Sequence, residues 1–244
     1  MAGKFSSSAV WWLVDGYNLI GSKPKGLSYK VEALHEDTLG LGDSFKTTTP
    51  TGVSVLTIRQ EGAFFDTATN GGHTALKDVV TSPQAAVRIA CMGFAGNTLG
   101  ESFVGAQGVY SDSYDVVSVV GALTKANVSY AVSGRVDHGV ILHALGAETG
   151  DATGTSVDNA AASTEGGAAF LQVTAFTGFS GAVITVEDSA DNAAFATIAT
   201  FTTVASAPTA ERIALAGTIR RYTRYVIDVT GSGSISFMVG VTRV

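Results

Sequence analysis

Cysteine is nearly absent: Cys91 stands alone among 244 residues, so no intrachain disulfide is possible and the fold is not a stapled secreted module. Charge is also scarce. Charged residues make up 15% of the chain, against roughly 25% in an average soluble domain. With 45% hydrophobic residues and a mean hydropathy of +0.28, a disordered chain is excluded. Some surface must therefore be covered by Ser, Thr and Gly, and some by a partner subunit. No apolar stretch approaches the roughly 20 residues of a membrane-spanning helix. The apolar run at Ala9–Val14 ends at Asp15, too short for the core of a signal peptide. The expectation is a soluble chain, not exported by the usual signal route and without a membrane partner.

Basic residues are the minority, 15 against 21 acidic, for a formal charge of −6. The deficit is even, −3 on each side of Gly150, and all five basic residues beyond it are arginines. Such a balance argues against gripping nucleic acid, which requires Lys and Arg to neutralise phosphates. It is compatible with letting nucleic acid pass.

What the chain has in plenty is turn punctuation. Gly, Ser, Thr, Asn and Asp recur every 8–12 residues, with runs rich in Val, Ile, Phe and Tyr between them, the signature of a mainly β protein. Expected strands are Ala9–Val14, Leu27–Leu34, Ser54–Phe64, Ala85–Phe94, Gly105–Val120 (bent or split) and Ala126–Leu145. In Val53–Gly62 the residues Val55, Thr57 and Arg59 face one way and Leu56 and Ile58 the other, as in a half-buried antiparallel strand. One short helix is expected after Thr74 as N-cap, with Leu76, Val79 and Val80 on one side and Ser82-Pro83 closing it.

Small and polar residues dominate Gly146–Gly167, where Val157 is the only large apolar side chain. This divides the chain into an N-terminal β-sandwich or barrel (residues 1–149), a linker (150–167) and a small C-terminal β-sandwich of jelly-roll or immunoglobulin-like type (168–244). Expected strands of the last part are Ala168–Thr174, Gly181–Glu187, Ala193–Thr202, Glu211–Leu215, Tyr222–Val229 and Ser234–Thr242.

Catalytic constellations are missing, so no enzyme is expected. Gly178-Phe-Ser-Gly-Ala resembles a nucleophile elbow, yet Ala182 stands in place of the second Gly and a strand follows. His138 and His143 are five apart and fall on opposite faces of a strand, so they cannot share a metal. Glu187, Asp188 and Asp191 lie together in a loop where a Ca²⁺ ion and backbone-bonding Asx turns are both open readings, although the EF-hand ligand pattern is missing. No phosphate-binding glycine motif occurs, and no cofactor is expected. Cys91, in an apolar run, reads as a structural thiol. In Arg220–Asp228 alternation puts Arg221, Thr223, Tyr225 and Ile227 on one face and Tyr222, Arg224, Val226 and Asp228 on the other. No basic platform forms, and Arg221 and Arg224 become candidates for polar contacts between subunits.

Several motifs, taken in order, resemble a known family. Val14-Asp-Gly-Tyr-Asn-Leu-Ile-Gly-Ser is similar to the opening hairpin of the tail tube (major tail) proteins of long-tailed bacteriophages. Glu32–Phe45, Pro50-Thr-Gly, Gln60-Glu-Gly-Ala-Phe-Phe-Asp and a short helix then follow in that family's order of strand, long loop, strand and helix. The second part, with Ala169-Phe-Leu-Gln-Val-Thr and Arg221-Tyr-Thr-Arg-Tyr, resembles β-sandwich modules appended to phage virion proteins. The resemblance implies a structural virion protein forming hexameric rings stacked into a tube, a conduit for DNA during ejection. It further implies other tail proteins as partners, DNA passing without specific binding, and assembly in the host cytoplasm. The loop Leu34–Gly52, long for a compact domain unless functional, would be the inter-ring contact, with Leu39, Leu41 and Phe45 as apolar anchors. The stretch Met1–Ser8 is a second candidate arm. The C-terminal part would be an outward decoration that ring assembly does not need. Alternatives are a capsid decoration protein and a glycan-binding surface module, the latter weakened by the absence of Trp from the second part.

Overall fold

The computed structural model describes residues 7–38, 44–45, 47–68, 71–74, 76, 88–132, 134 and 136–244. Sixteen strands are β1 (Trp11–Val14), β2 (Tyr17–Asn18), β3 (Gly26–Thr38), β4 (Thr47–Phe64), β5 (Arg88–Gly93), β6 (Ser102–Val117), β7 (Lys125–Val132), β8 (Val136–Glu148), β9 (Ala152–Thr153), β10 (Val157–Asp158), β11 (Gly167–Thr177), β12 (Gly181–Ser189), β13 (Ala196–Thr200), β14 (Thr209–Leu215), β15 (Tyr222–Thr230) and β16 (Ser234–Arg243). The chain is mainly β and its ladders are antiparallel. A helical turn covers residues 72–74 and 76; it begins ahead of Thr74, and Leu76 is buried. Val79 and Val80 lie outside the described residues.

One sheet has eleven strands, in the order β14-β11-β16-β8-β6-β5-β1-β2, with β7, β4 and β3 branching from β6. The branch explains why Ala126–Leu145, expected as a single strand, is two. β7 and β8 run end to end along one edge of β6, with Val132 opposite Val109 and Val136 opposite Ala106. Between them, a Cβ on Gly134 would lie 2.2 Å from the Gln107 carbonyl oxygen, so only glycine permits that approach. Past this break the sheet divides. β7 pairs with β4 and β3, whereas β8 pairs with β16, β11 and β14.

Three cores result. The first holds Trp12, Val14, Leu56, Ile58, Met92, Val109 and Tyr130. The second packs Ala169, Leu171, Phe237 and Val239 against Ile184, Val186 and Ile227 of a five-stranded sheet (β10-β15-β12-β13, with β9 on β15). The third joins the two: Trp11, Leu13, Cys91 and Phe103 meet Ile141, Ala168, Phe170 and Met238. β1 is apolar throughout because alternate side chains enter different cores, and β11 is built the same way. Two glycines show how close the junction is: a Cβ on Gly105 would lie 2.6 Å from the Phe170 ring, and one on Gly240 2.4 Å from that of Phe103.

Polar contacts also cross this junction. The buried Gln172 side chain accepts from Gly16 N–H at 2.6 Å and donates to the Ile89 carbonyl at 3.0 Å. Arg212 of β14 forms a 2.7 Å ion pair with buried Asp137 of β8. Residues 150–167, which read as a linker by composition, follow the second sheet. β9 and β10 pair with β15, and Ser163 bridges Ile219. Removing 150–244 would therefore take away β16 from the edge of β8 and uncover Phe103 and Ile141.

Candidate functional site

Within Leu34–Gly52, expected as one loop, residues 34–38 and 47–52 are strand. β3 continues to Thr38 and β4 begins at Thr47, and backbone pairing persists from Gly26↔Glu61 to Thr38↔Thr47, with an irregularity between Ala33 and His35. Thr residues flanking a Pro and a Gly resemble a loop in sequence, yet β-branched Thr also suits an exposed strand. β7 covers β4 only as far as Leu56↔Val132. Beyond that point β3 and β4 have no other strand partner among the described residues, so a two-stranded arm projects about 23 Å at ~3.3 Å per residue.

The arm's alternation shows what it lacks. Tyr29 and Val31 stand opposite Ile58 and Leu56, on the face that forms the first core nearer the body. Tyr29 still reaches Phe94, with ring centroids 5.5 Å apart. Farther out, among the described residues, no layer covers the arm: Val31 is 47% and Leu34 44% exposed, and Phe45, just ahead of β4, is 84% exposed. Residues 28–37 are exposed without exception, and among the described residues β3 pairs with β4 alone, leaving its outer edge open. A lone two-stranded hairpin is marginally stable in water, and an exposed edge strand is a template for pairing with another chain. Of the arm's three expected anchors, Phe45 is presented to solvent, while Leu39 and Leu41 lie outside the described residues, as does most of Met1–Ser8. Val31 and Leu34 were not singled out in the sequence, where Leu27–Leu34 read simply as a strand.

Arg221 and Arg224 each hold a carboxylate of their own chain. Arg221 pairs with Asp158 at 2.6 Å, and Arg224 with Glu187 at 2.7 Å, its guanidinium 3.7 Å over the Phe195 ring. Arg221 holds Asp158 down at about 2. Thr223, Tyr225 and Ile227 of β15 are buried, whereas Arg221, expected on their face, lies just ahead of the strand and is exposed. Glu187 and Asp188, expected in a loop, lie within β12 and pair with β13 and β15, so only Asp191 belongs to the turn, and the acids are structural in the same way. Asp188, buried, accepts from Arg220 Nε at 2.7 Å and Arg220 N–H at 2.8 Å. Asp191 caps the turn by accepting from Ala193 and Ala194 N–H, each at 3.0 Å, and from Ser189 Oγ at 2.9 Å. These bonds depress its pKa to about 2. Among the described residues, no three His, Cys, Asp or Glu side chains are grouped to hold a metal. Cys91 is buried at the junction, where burial pushes its thiol up to about 12, poorly suited to nucleophilic work.

No protein-family model matches the chain, and no curated protein sequence matches it. Among solved structures it is similar to a chain of the virion of a native gene transfer agent particle, at 12% identity over 55% of this chain and 97% of that one, TM-score 0.41. It is similar to a chain of the sheath–tube complex of an extracellular contractile injection system in its extended state, at 15% identity over 57% and 93%, TM-score 0.39. The Dit protein of SPP1, described as a hub adsorption apparatus of Gram-positive-infecting phages, aligns over 96% of this chain and 99% of its own at 12% identity, TM-score 0.36. At these scores the similarities are partial and assign no role to this chain.

Proposed function

We propose that the chain is a structural protein of a phage-type virion, which self-assembles into stacked hexameric rings forming the tail tube, with no catalytic activity. The observation that carries this is the β3–β4 arm: a projecting hairpin with an open edge and uncovered Val31, Leu34 and Phe45. Such a device is a hazard in a monomer and useful in a chain whose copies join edge to edge and layer to layer. The order of motifs shared with tail tube proteins supports the same reading. So does the charge, −6 with 15% charged residues, because a wall poor in Lys and Arg makes few bonds to phosphate and lets DNA slide. Other tail proteins would meet the ends of the tube, and assembly would take place in the host cytoplasm.

The test is negative-stain electron microscopy of the purified, concentrated chain across a range of salt. Rings and tubes with a central hole are expected. Compact trimers that never stack would overturn the tube and point to a decoration protein on a capsid shell.

A further inference from the structure

The arm has a counterpart at the opposite end of the same sheet. β4 leads from Thr47, opposite Thr38 of the arm, to Phe64, opposite Lys125 at the start of β7. That distance is about 55 Å at ~3.3 Å per residue. At this far end the turn joining β6 to β7 is apolar and uncovered: Val116, Val117, Val119, Val120 and Leu123 are 40–103% exposed. The turn is held in shape. Ala122 N–H donates to the Val119 carbonyl at 3.0 Å, Phe65 N–H to that of Thr124 at 3.0 Å, and Thr124 Oγ1 to Ser118 Oγ at 3.2 Å. An ordered turn with five large apolar side chains in water is the mark of a contact surface.

The arm is acidic, and a pair of lysines stands beside the far turn. The described part of the arm carries Glu32, ion-paired at 2.5 Å to Lys30 at its base, together with Glu36 and Asp37. Beside the far turn, Lys25 and Lys125 stand close enough that Lys25 lowers the pKa of Lys125, and the Lys25 stem lies where a Cβ on Gly62 would meet it. The acids nearest in register are Glu61, beside Gly62, and Asp115, opposite Asn127. Two like charges side by side are relieved by an acidic visitor.

We propose that the β6–β7 turn is the seat for the β3–β4 arm of a second copy, so that copies stack head to tail. The proposal rests on the assembly reading above and adds the partner surface. A contact between two different patches of one chain does not close on a pair, and it propagates.

The test uses Leu34→Cys and Val120→Cys together in the full chain, treated with a short bismaleimide; the native Cys91 is buried and does not compete. A ladder of dimers, trimers and longer species is expected, whereas each single variant, whose cysteine faces none on its neighbour, stays uncross-linked. Circular dichroism and a melting temperature matching the parent chain confirm the fold. Loss of the ladder in the double variant overturns the seat, and if the parent chain still forms tubes, the tube reading survives with the arm docking elsewhere. A ladder without tubes keeps the seat and overturns the tube. Lys25→Glu with Lys125→Glu should lower the ladder yield severalfold, and adding Glu36→Lys should restore part of it.

Discussion

Phe170→Ala tests whether the two halves of the chain fold as one body. Phe170 is buried in the junction core, its ring edge-on to Phe103 with centroids 5.7 Å apart and the Arg212 guanidinium 5.5 Å above it. Gly105 is held so close that no larger residue fits, so the void left by the ring has little means of collapsing. Truncating a buried Phe costs about 3–5 kcal/mol. At about 2–4 °C per kcal/mol for a chain of this size, the melting temperature should fall by about 6–20 °C. The assay follows tryptophan fluorescence and far-ultraviolet circular dichroism during heating. Both tryptophans, Trp11 and Trp12, lie in β1, on the other side of Gly150 from the substitution. One shared core requires the fluorescence midpoint to drop together with the dichroism midpoint. A fluorescence midpoint unchanged from the parent, with the dichroism splitting into two steps, would refute the reasoning and show independent domains.

Two further outcomes follow from the titratable groups. Asp158 and Asp191 both sit at about 2, the first held by Arg221 and the second by backbone N–H groups of Ala194 and Ala193. A depressed carboxylate stabilises the folded state fully above its unfolded pKa of about 3.9 and loses that contribution as pH falls through the folded value. Urea midpoints should therefore decline between about pH 4 and about pH 2, less steeply in Asp191→Asn. Cys91, with its thiol pushed up to about 12 and in contact with Gln172, should resist alkylating reagents in the native chain and react readily in denaturant, as mass spectrometry would record.

Much of the architecture was legible in the sequence, and the reason is local. The alternation in Val53–Gly62 placed Leu56 and Ile58 inward, and both are fully buried with Val55 and Arg59 outside. The pattern in Arg220–Asp228 placed Arg221, Thr223, Tyr225 and Ile227 on one face, and the last three are buried while Arg221, ahead of the strand, is exposed. What was hidden depends on partners distant in the chain. Nothing near Gly134 announces the break between β7 and β8, which is set by the Gln107 carbonyl on a neighbouring strand. The junction core draws on residues from Trp11 to Met238, so it has no local signature. Gly-Ala-Ser-Thr composition marked 150–167 as a linker, whereas small side chains also suit a segment lying flat along β15. The apolar turn after Val116 read as the inside of a strand, because a run of valines looks the same whether a core or a second copy will cover it.

The central claim is that the arm is an assembly device, and Val31→Asp with Leu34→Asp addresses it most directly. Both side chains are exposed in the lone chain, so the variant should keep the parent's circular dichroism spectrum and melting temperature within a degree or two. Under conditions where the parent chain forms tubes in the electron microscope, the variant is expected to remain as single subunits or unstacked rings. Tubes of normal length and abundance from the folded variant would contradict the account.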